Sequence, residues 1–280
     1  MNNSAIIIYT LNTLPKMLNF FITPRIEQTI DINMPEASFR VYIINCPFSR
    51  VKSENRKTAK ILKKICYSND IYFIIRKHNK YYTEYDYTEV ENGIERGNVE
   101  EIKAIKNLSA LIKLSDERNE NLLKGNIGFI SASLGYETIN MVSGEAVCIF
   151  IYEHSKMDIN RKNAIFEKLI SDKGISAVFT KDLGRIISEC SILFVDGVTD
   201  LDEYKTALSG KIIIGENPVE GGFRKVTGVL LWFEELHKTT KDNIYVKYND
   251  ELLAVLRHYY KDKNPIGFIK RFPYIYMSSG

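Results

Sequence analysis

The chain has 280 residues, of which 45% are hydrophobic and 26% are charged, and this composition excludes the disordered and fibrous classes of protein. The formal net charge of +3 at pH 7 is too small to indicate strong affinity for nucleic acids or for membrane surfaces. The length favours two domains over one.

The N-terminal part of the chain predicts alternating strands and helices. Short apolar runs over residues 5–9, 39–45 and 71–75 are rich in β-branched and aromatic residues, which predicts strands. Apolar residues recur at helical spacing over residues 53–66, which predicts a helix before the last of these strands. A polar, tyrosine-rich stretch over residues 78–90 predicts an exposed hairpin, with a base-stacking surface as the alternative.

From residue 125 onward, apolar runs and helical stretches alternate regularly. Because the apolar runs are continuous, both faces of each strand should be buried, which predicts a parallel sheet covered by helices on both sides. The five runs are residues 127–130, 146–152, 175–179, 191–195 and 211–214. In a helix predicted over residues 158–172, the side chains expected to face the sheet are Ile165, Phe166, Leu169 and Ile170.

The last part of the chain predicts helices and an irregular tail. Residues 222–236, which include Trp232, predict a long helix, and residues 249–260 predict another. The predicted fold class is therefore α/β, with a Rossmann-like parallel-sheet domain and a smaller N-terminal α/β domain. The predicted boundaries are 1–124 for the N-terminal domain, 125–238 for the Rossmann-like domain, and 239–280 for a C-terminal helix and tail that packs back on the N-terminal domain.

The turn after the first strand of the Rossmann-like domain is the place where a dinucleotide fold holds its pyrophosphate. Here the turn reads ISASLGYE, so small residues replace the two early glycines and Gly135 stands near the third position. Ser131 and Ser133 are small enough to admit a phosphate. The structural alternative is that Ser133 caps the next helix and Gly135 lets it pack on the strand. Glu153, after the second strand, stands where a carboxylate can accept hydrogen bonds from ribose.

Two later segments carry a resemblance to a known family. TKDLGRIISECSILFVDG begins at Thr180, and LSGKIIIGENPV begins at Leu208. At residues 190–197 and 210–217 they resemble the second half of the NAD(P)-binding domain in amino-acid-dehydrogenase-like enzymes, such as shikimate and methylenetetrahydrofolate dehydrogenases. Asp196 departs from that family, which usually has a small neutral residue at this position.

The resemblance implies a degenerate NAD(P)-binding domain in an NAD(P)-dependent oxidoreductase, with NAD or NADP as the cofactor and a ligand site between the domains. It implies that the cofactor's pyrophosphate lies near Ser131, Ser133 and Gly135, its ribose near Glu153, its adenine near Thr180, and its nicotinamide beside Val195, Asp196 and Gly197. It gives no catalytic residues, because the N-terminal half has no recognisable lysine–aspartate catalytic pair.

Two alternative functions stay open at this point, and with them the question of whether the protein is an enzyme. One is a non-catalytic regulatory or assembly module on a Rossmann scaffold, which the replaced glycines favour. The other is an S-adenosylmethionine-dependent methyltransferase-like enzyme, because that fold also places an acidic residue after its second strand.

The remaining polar residues predict no metal site, since the four histidines are isolated and form no ligand spacing. An acidic cluster offers a cation site as the alternative to helix capping, and its members are Asp196, Asp200, Asp202 and Glu203. Four widely spaced cysteines indicate free thiols in a reducing compartment, so the predicted location is cytoplasmic. No apolar stretch approaches the roughly 20 residues of a membrane span. A small-molecule ligand and a homo-oligomer are the expected partners.

Overall fold

The computed structural model describes residues 3–10, 23–33, 38–46, 52–77, 94–131, 136–153, 159–196, 201–215, 224–226, 228–232, 247–260, 265–270 and 274–278. Contacts divide the chain into two compact units. Unit 1 comprises residues 1–99 and 233–263, and unit 2 comprises residues 100–232 and 264–280. The domain boundaries drawn from the sequence stay a prediction, and the predicted hairpin at 78–90 lies outside the described residues.

The sheet of unit 1 is mostly parallel. Its strands are β1 (Asn3–Thr10), β2 (Arg25–Asn33), β3 (Ser38–Cys46), β4 (Ile71–Lys77) and β5 (Glu95–Arg96). They follow the order β2-β3-β1-β4-β5, and only β2 runs antiparallel to its neighbour. The three predicted strands of this region are confirmed.

Strand β2 is one of two described strands of unit 1 that were not predicted from the sequence, the other being the two-residue β5. The side chains of β2 alternate between the core and solvent, since Ile30 and Ile32 are buried whereas Asp31 and Asn33 are exposed. This period of two is typical of a strand with one solvated face. The carboxylate of Asp31 accepts a hydrogen bond from Arg40 Nε of β3 at 2.6 Å.

Seven helices belong to the described part of the chain. They are α1 (Lys52–Ser68), α2 (Val99–Arg118), α3 (Tyr136–Val142), α4 (Ile159–Lys173), α5 (Leu183–Glu189), α6 (Asn249–Tyr260) and α7 (Pro265–Lys270). The predicted helices over residues 53–66, 158–172 and 249–260 are confirmed.

Two helices of unit 1 pack on the two faces of its sheet. Buried residues of α1, among them Leu62, pack against Ile44 and Ile74. Tyr259 of α6 stacks on Phe39 with a centroid separation of 5.8 Å, and His258 of α6 stacks on Phe73 at 4.1 Å. Neighbouring strand residues point to opposite faces of a sheet. The even-numbered Ile44 and Ile74 therefore contact α1, whereas the odd-numbered Phe39 and Phe73 contact α6.

The sheet of unit 2 is wholly parallel. Its strands are β6 (Asn126–Ser131), β7 (Cys148–Tyr152), β8 (Ser176–Thr180), β9 (Ile192–Asp196), β10 (Ile212–Ile214) and β11 (Arg224–Val226). Their order is β11-β10-β9-β6-β7-β8. Numbered from the first strand of this unit, that is the 3-2-1-4-5-6 order of a Rossmann sheet. The predicted α/β fold class with a central parallel sheet is confirmed.

Two predictions for the C-terminal part are wrong. Residues 222–236 contain β11 and a further strand, β12 (Gly228–Trp232), instead of a long helix. The tail contains α7 and β13 (Tyr274–Ser278) instead of irregular structure, and β13 pairs antiparallel with β12. A short apolar run such as GVLLW fits a helix and a strand equally well by periodicity, and the pairing that decides between them involves a distant segment.

The inward face of α4 also differs from the prediction. Ile165 and Leu169 are 3% and 1% exposed, as expected, but Phe166 and Ile170 are 42% and 44% exposed. Successive helix positions are rotated by about 100°. Adjacent pairs therefore cannot both point at the sheet, and here the second member of each pair turns outward.

Candidate ligand site at the carboxyl edge of the unit 2 sheet

The carboxyl ends of the unit 2 strands meet at one edge, and the chain reverses direction across the sheet between β6 and β9. From β6 the chain proceeds through β7 to β8 on one side, then crosses to β9 and continues through β10 to β11 on the other. Ser131 and Asp196, the last residues of β6 and β9, pair in register. In open α/β sheets, ligands bind in the crevice outside such a reversal point.

A glycine brings the chain after β10 directly onto the end of β9. Gly215 has φ +122°, and a Cβ at this residue would lie 2.0 Å from the carbonyl oxygen of Val195. Only glycine accommodates both the backbone conformation and the contact. Gly215 directly follows the strand predicted over residues 211–214, and its sequence position alone does not reveal this requirement.

A second glycine allows α5 to approach the sheet closely at β6. A Cβ at Gly128 would lie 2.7 Å from Leu193 Cδ2 and 2.8 Å from Ile186 Cγ2. Isolated glycines inside strands often mark such close approaches. The contact fixes α5 over β6 and β9, the two strands that flank the reversal point.

Glu153 is held at the end of β7 by two contacts. Its backbone N–H donates to the carbonyl oxygen of Thr180 at 2.8 Å. Its Oε2 accepts from Lys162 Nζ of α4 at 3.2 Å, and both side chains are half-buried. Lys162 Nζ also lies 5.2 Å from the centroid of the Phe179 ring. Lys162 was not among the predicted site residues, since nothing in its sequence position marks it as a partner of Glu153.

Thr180 ends β8 and starts the turn into α5. Its Oγ1 accepts from the N–H of Asp182 at 3.1 Å. The carboxylate of Asp182 in turn accepts from the N–H of Arg185 at 2.9 Å, which makes Asp182 the N-cap of α5. The hydroxyl of Thr180 therefore has a structural role in shaping this turn.

The structure describes the other predicted site residues to different extents. The side chain of Val195 is buried in the core, so only its backbone reaches the carboxyl edge. Ser131 and Asp196 are described through their backbone pairing alone. Ser133, Gly135 and Gly197 lie outside the described residues. Two pairs of predicted residues are thus adjacent, Ser131 with Asp196 and Glu153 with Thr180.

The two cysteines of unit 2, Cys148 and Cys190, lie by the amino ends of β7 and β9 and are unsuited to nucleophilic chemistry. Burial is the main cause that raises the pKa of Cys190 to about 12, and a protonated thiol is a poor nucleophile. Burial also raises the pKa of Cys148. Lys211 Nζ donates to the carbonyl oxygen of Cys190 at 2.7 Å, which gives this carbonyl at the end of α5 a hydrogen-bond partner.

Neither a metal centre nor a membrane-spanning helix occurs in the described part of the chain. Within the described ranges, no three or more histidine, cysteine or acidic side chains are grouped as a metal site would require. Of the predicted acidic cluster, Asp202 and Glu203 lie in a 3-10 turn, where Asp202 pairs with Lys205 at 3.3 Å. Asp200 lies outside the described residues. Among the helices that the structure describes, none is long and apolar enough to cross a bilayer.

Comparison with known proteins gives structural neighbours but no family. No family model matches the sequence, and no curated protein matches it at a significant level. The fold is similar to a mutant N-acetyl-L-ornithine transcarbamylase, with 8% identity, a TM-score of 0.44, and coverage of 78% of this chain and 79% of that chain. It is similar to the ornithine carbamoyltransferase of Pyrococcus furiosus, with 9% identity, a TM-score of 0.43, and coverage of 79% and 74%. It is also similar to the catalytic subunit of M. jannaschii aspartate transcarbamoylase, with 11% identity, a TM-score of 0.43, and coverage of 94% and 87%.

These neighbours correct the functional prediction. They are transcarbamylases and not the NAD(P)-binding dehydrogenases that the sequence resembles, so the predicted degenerate NAD(P)-binding domain, the oxidoreductase activity and the NAD or NADP cofactor are wrong. Neither the non-catalytic module nor the methyltransferase-like enzyme finds support among them. Residues 190–197 and 210–217 contain β9 and β10. Short apolar strands with a glycine nearby recur in doubly wound sheets of many functions. The likeness to transcarbamylases concerns the fold and assigns no reaction to this chain.

Proposed function

We propose that unit 2 binds a small polar molecule at the carboxyl edge of its parallel sheet. The observation that carries this proposal is the in-register pairing of Ser131 with Asp196 at the point where the strand order reverses. Connections diverge from this point to opposite sides of the sheet, which leaves a crevice between the two strand ends.

The proposed lining follows from the residues that end the strands and begin the turns. Glu153 offers a half-buried carboxylate whose Oε2 is bonded to Lys162, and its Oε1, which has no hydrogen bond to a described residue, would accept from a ligand. A carboxylate at a strand end selects ligands that present hydroxyl or amino donors. The proposed lining residues are Ser131, Ser133, Gly135, Glu153, Thr180, Asp196 and Gly197, with the backbone of Val195.

The experiment is a thermal-shift titration of the whole chain with amino acids, polyols, sugar phosphates and dicarboxylates. A compound that binds the folded state at about 100 times its dissociation constant stabilises it by about 2.7 kcal/mol. The binding variant is Glu153→Gln. The matched control is Glu189→Gln, because Glu189 is exposed in α5 and its carbonyl accepts from Asn126 at the opposite, amino edge of the sheet.

We expect at least one compound to raise the melting temperature of the wild-type chain and of Glu189→Gln, and to lose this effect with Glu153→Gln. The proposal fails if no compound shifts the melting temperature at millimolar concentration. It also fails if the two variants respond alike, because the ligand would then be bound away from the carboxyl edge.

We also propose that the protein works in a reducing, cytoplasmic environment, because none of its four cysteines, all of which lie in described segments, forms a disulfide and three of them are buried. Trapping the thiols with an alkylating reagent during cell lysis under denaturing conditions, followed by mass spectrometry, tests this. Four alkylated cysteines per chain are expected, and a disulfide between any two would contradict the proposal.

A further inference from the structure

The edge of the unit 2 sheet formed by β8 lacks the features that usually keep a sheet edge from pairing with another chain. Strand β8 pairs with β7 over all five of its residues, and no other strand in the described part of the chain pairs with its second edge. Ser176 is exposed and the four residues that follow are half-buried. The strand reads SAVFT and contains no charge and no proline, whereas natural proteins usually block a free edge with charges, prolines or bulges.

An apolar stripe on α4 borders this edge. Ile159, Phe166 and Ile170 are 61%, 42% and 44% exposed, and at about 100° per residue they fall within about 40° of one another around the helix. Lys168, on the opposite flank of α4, lies 4.4 Å from the centroid of the Tyr136 ring in α3. The stripe therefore points away from α3 and beyond the last strand of the sheet.

The stripe and the strand are continuous with each other. The ring of Phe166 lies 6.4 Å from the ring of Phe179 in β8, centroid to centroid. Together the exposed side chains of α4 and the edge of β8 form one continuous apolar surface. We call this surface the β8 edge.

We propose that the β8 edge binds the β8 edge of a second copy of this chain, with the two strands antiparallel about a two-fold axis at Val178. In this register Ala177 lies opposite the partner's Phe179, so a small side chain meets a large one. Ser176 lies opposite the partner's Thr180, so a hydroxyl meets a hydroxyl. Such cross-strand pairs stabilise antiparallel sheets.

Charge favours a second copy as the occupant. The strand carries no charge, so self-pairing brings no like charges opposite each other. The same two-fold axis sets the two α4 helices antiparallel, which places the positive end of one helix dipole beside the negative end of the other. The interface does not depend on the proposed ligand site.

The first test is sedimentation of the full chain over a range of concentrations. We expect a monomer–dimer equilibrium in the wild type and a dissociation constant raised at least about tenfold by Ile170→Glu, as for other central apolar interface residues. The matched control is Val147→Glu, because Val147 is an apolar residue of unit 2 outside the β8 edge and is more exposed than Ile170, at 67%.

The second test fixes the register. Val178 lies on the axis, where antiparallel Cα atoms are about 4.5 to 5.5 Å apart, within the range that a disulfide spans. Oxidised Val178→Cys should therefore run as a covalent dimer on a non-reducing gel, whereas the wild type with its four native cysteines should not. A monomer at all concentrations overturns the proposal. So does a dimer that Ile170→Glu leaves intact and that Val178→Cys does not cross-link, because its interface would lie elsewhere.

Discussion

Gly215 lies against the carbonyl oxygen of Val195, so close that a Cβ at Gly215 would come within 2.0 Å of that oxygen. The carbonyl belongs to β9, which flanks the reversal point of the sheet. This contact therefore holds the end of β10 against the end of β9. Replacement by alanine would add both a steric overlap with rigid backbone and a strained positive φ.

We predict that Gly215→Ala lowers the free energy of unfolding by at least about 2 kcal/mol, through overpacking and backbone strain together. Urea denaturation measures the change. The matched control is Gly144→Ala, since nothing lies within 4 Å of a Cβ there and the backbone has no positive φ. The control should be neutral or slightly stabilising. Equal effects of the two substitutions would show that the close approach at Val195 is not required.

A second prediction concerns the N-cap of α5. The carboxylate of Asp182 accepts from the N–H of Arg185 at 2.9 Å, and Asp182→Ala should cost about 1 kcal/mol of stability, as for other N-caps. Asp182→Asn keeps an acceptor and should stay close to the wild type. Urea unfolding of both variants separates capping from simple loss of a surface charge. If the asparagine variant were as unstable as the alanine variant, capping would not be the reason for the loss.

A third prediction concerns alkaline pH. Burial raises the pKa of Cys190 from 9.0 to about 12 in the folded chain, so the folded state holds this proton more tightly than the unfolded state does. The corresponding stability is fully present below pH of about 9 and is lost as the pH rises through about 9 to 12. The free energy of unfolding should therefore fall over this window.

Cys190→Ser tests this pH dependence, because serine keeps the approximate shape of the side chain and does not titrate in the window. Urea titrations at several pH values between about 8 and 11 should give a shallower fall for the variant than for the wild type, since only the wild type unfolds with loss of this proton. Parallel curves for the two proteins would contradict a buried, protonated Cys190.

Much of the α/β fold was predictable because its strands are continuous apolar runs between turn residues. Runs such as residues 127–130 and 191–195 alternate regularly with helical stretches, which favours buried parallel strands. Strand β2 was missed although Ile30 and Ile32 alternate with polar residues, which is the signal of a half-buried strand. Trp232 was assigned to a helix because its strand is short and pairs with a segment far along the chain.

The candidate site was less predictable than the fold. Glu153 could be recognised from its place after a strand, but its ion pair with Lys162 depends on how α4 packs, which no local pattern encodes. The family resemblance misled because it rested on β9 and β10 with their turns, and these features describe a type of sheet rather than a type of chemistry.

The most direct test of the central claim is to map a bound ligand on the chain by NMR. With a compound from the thermal-shift titration, amide resonances at the carboxyl ends of β6 and β9, those of Ser131 and Asp196, should shift in a saturable manner, together with that of Glu153. Amides at the amino ends, those of Asn126 and Ile192, should stay in place. Saturable shifts at the amino ends, with none at the carboxyl ends, would contradict the proposed site.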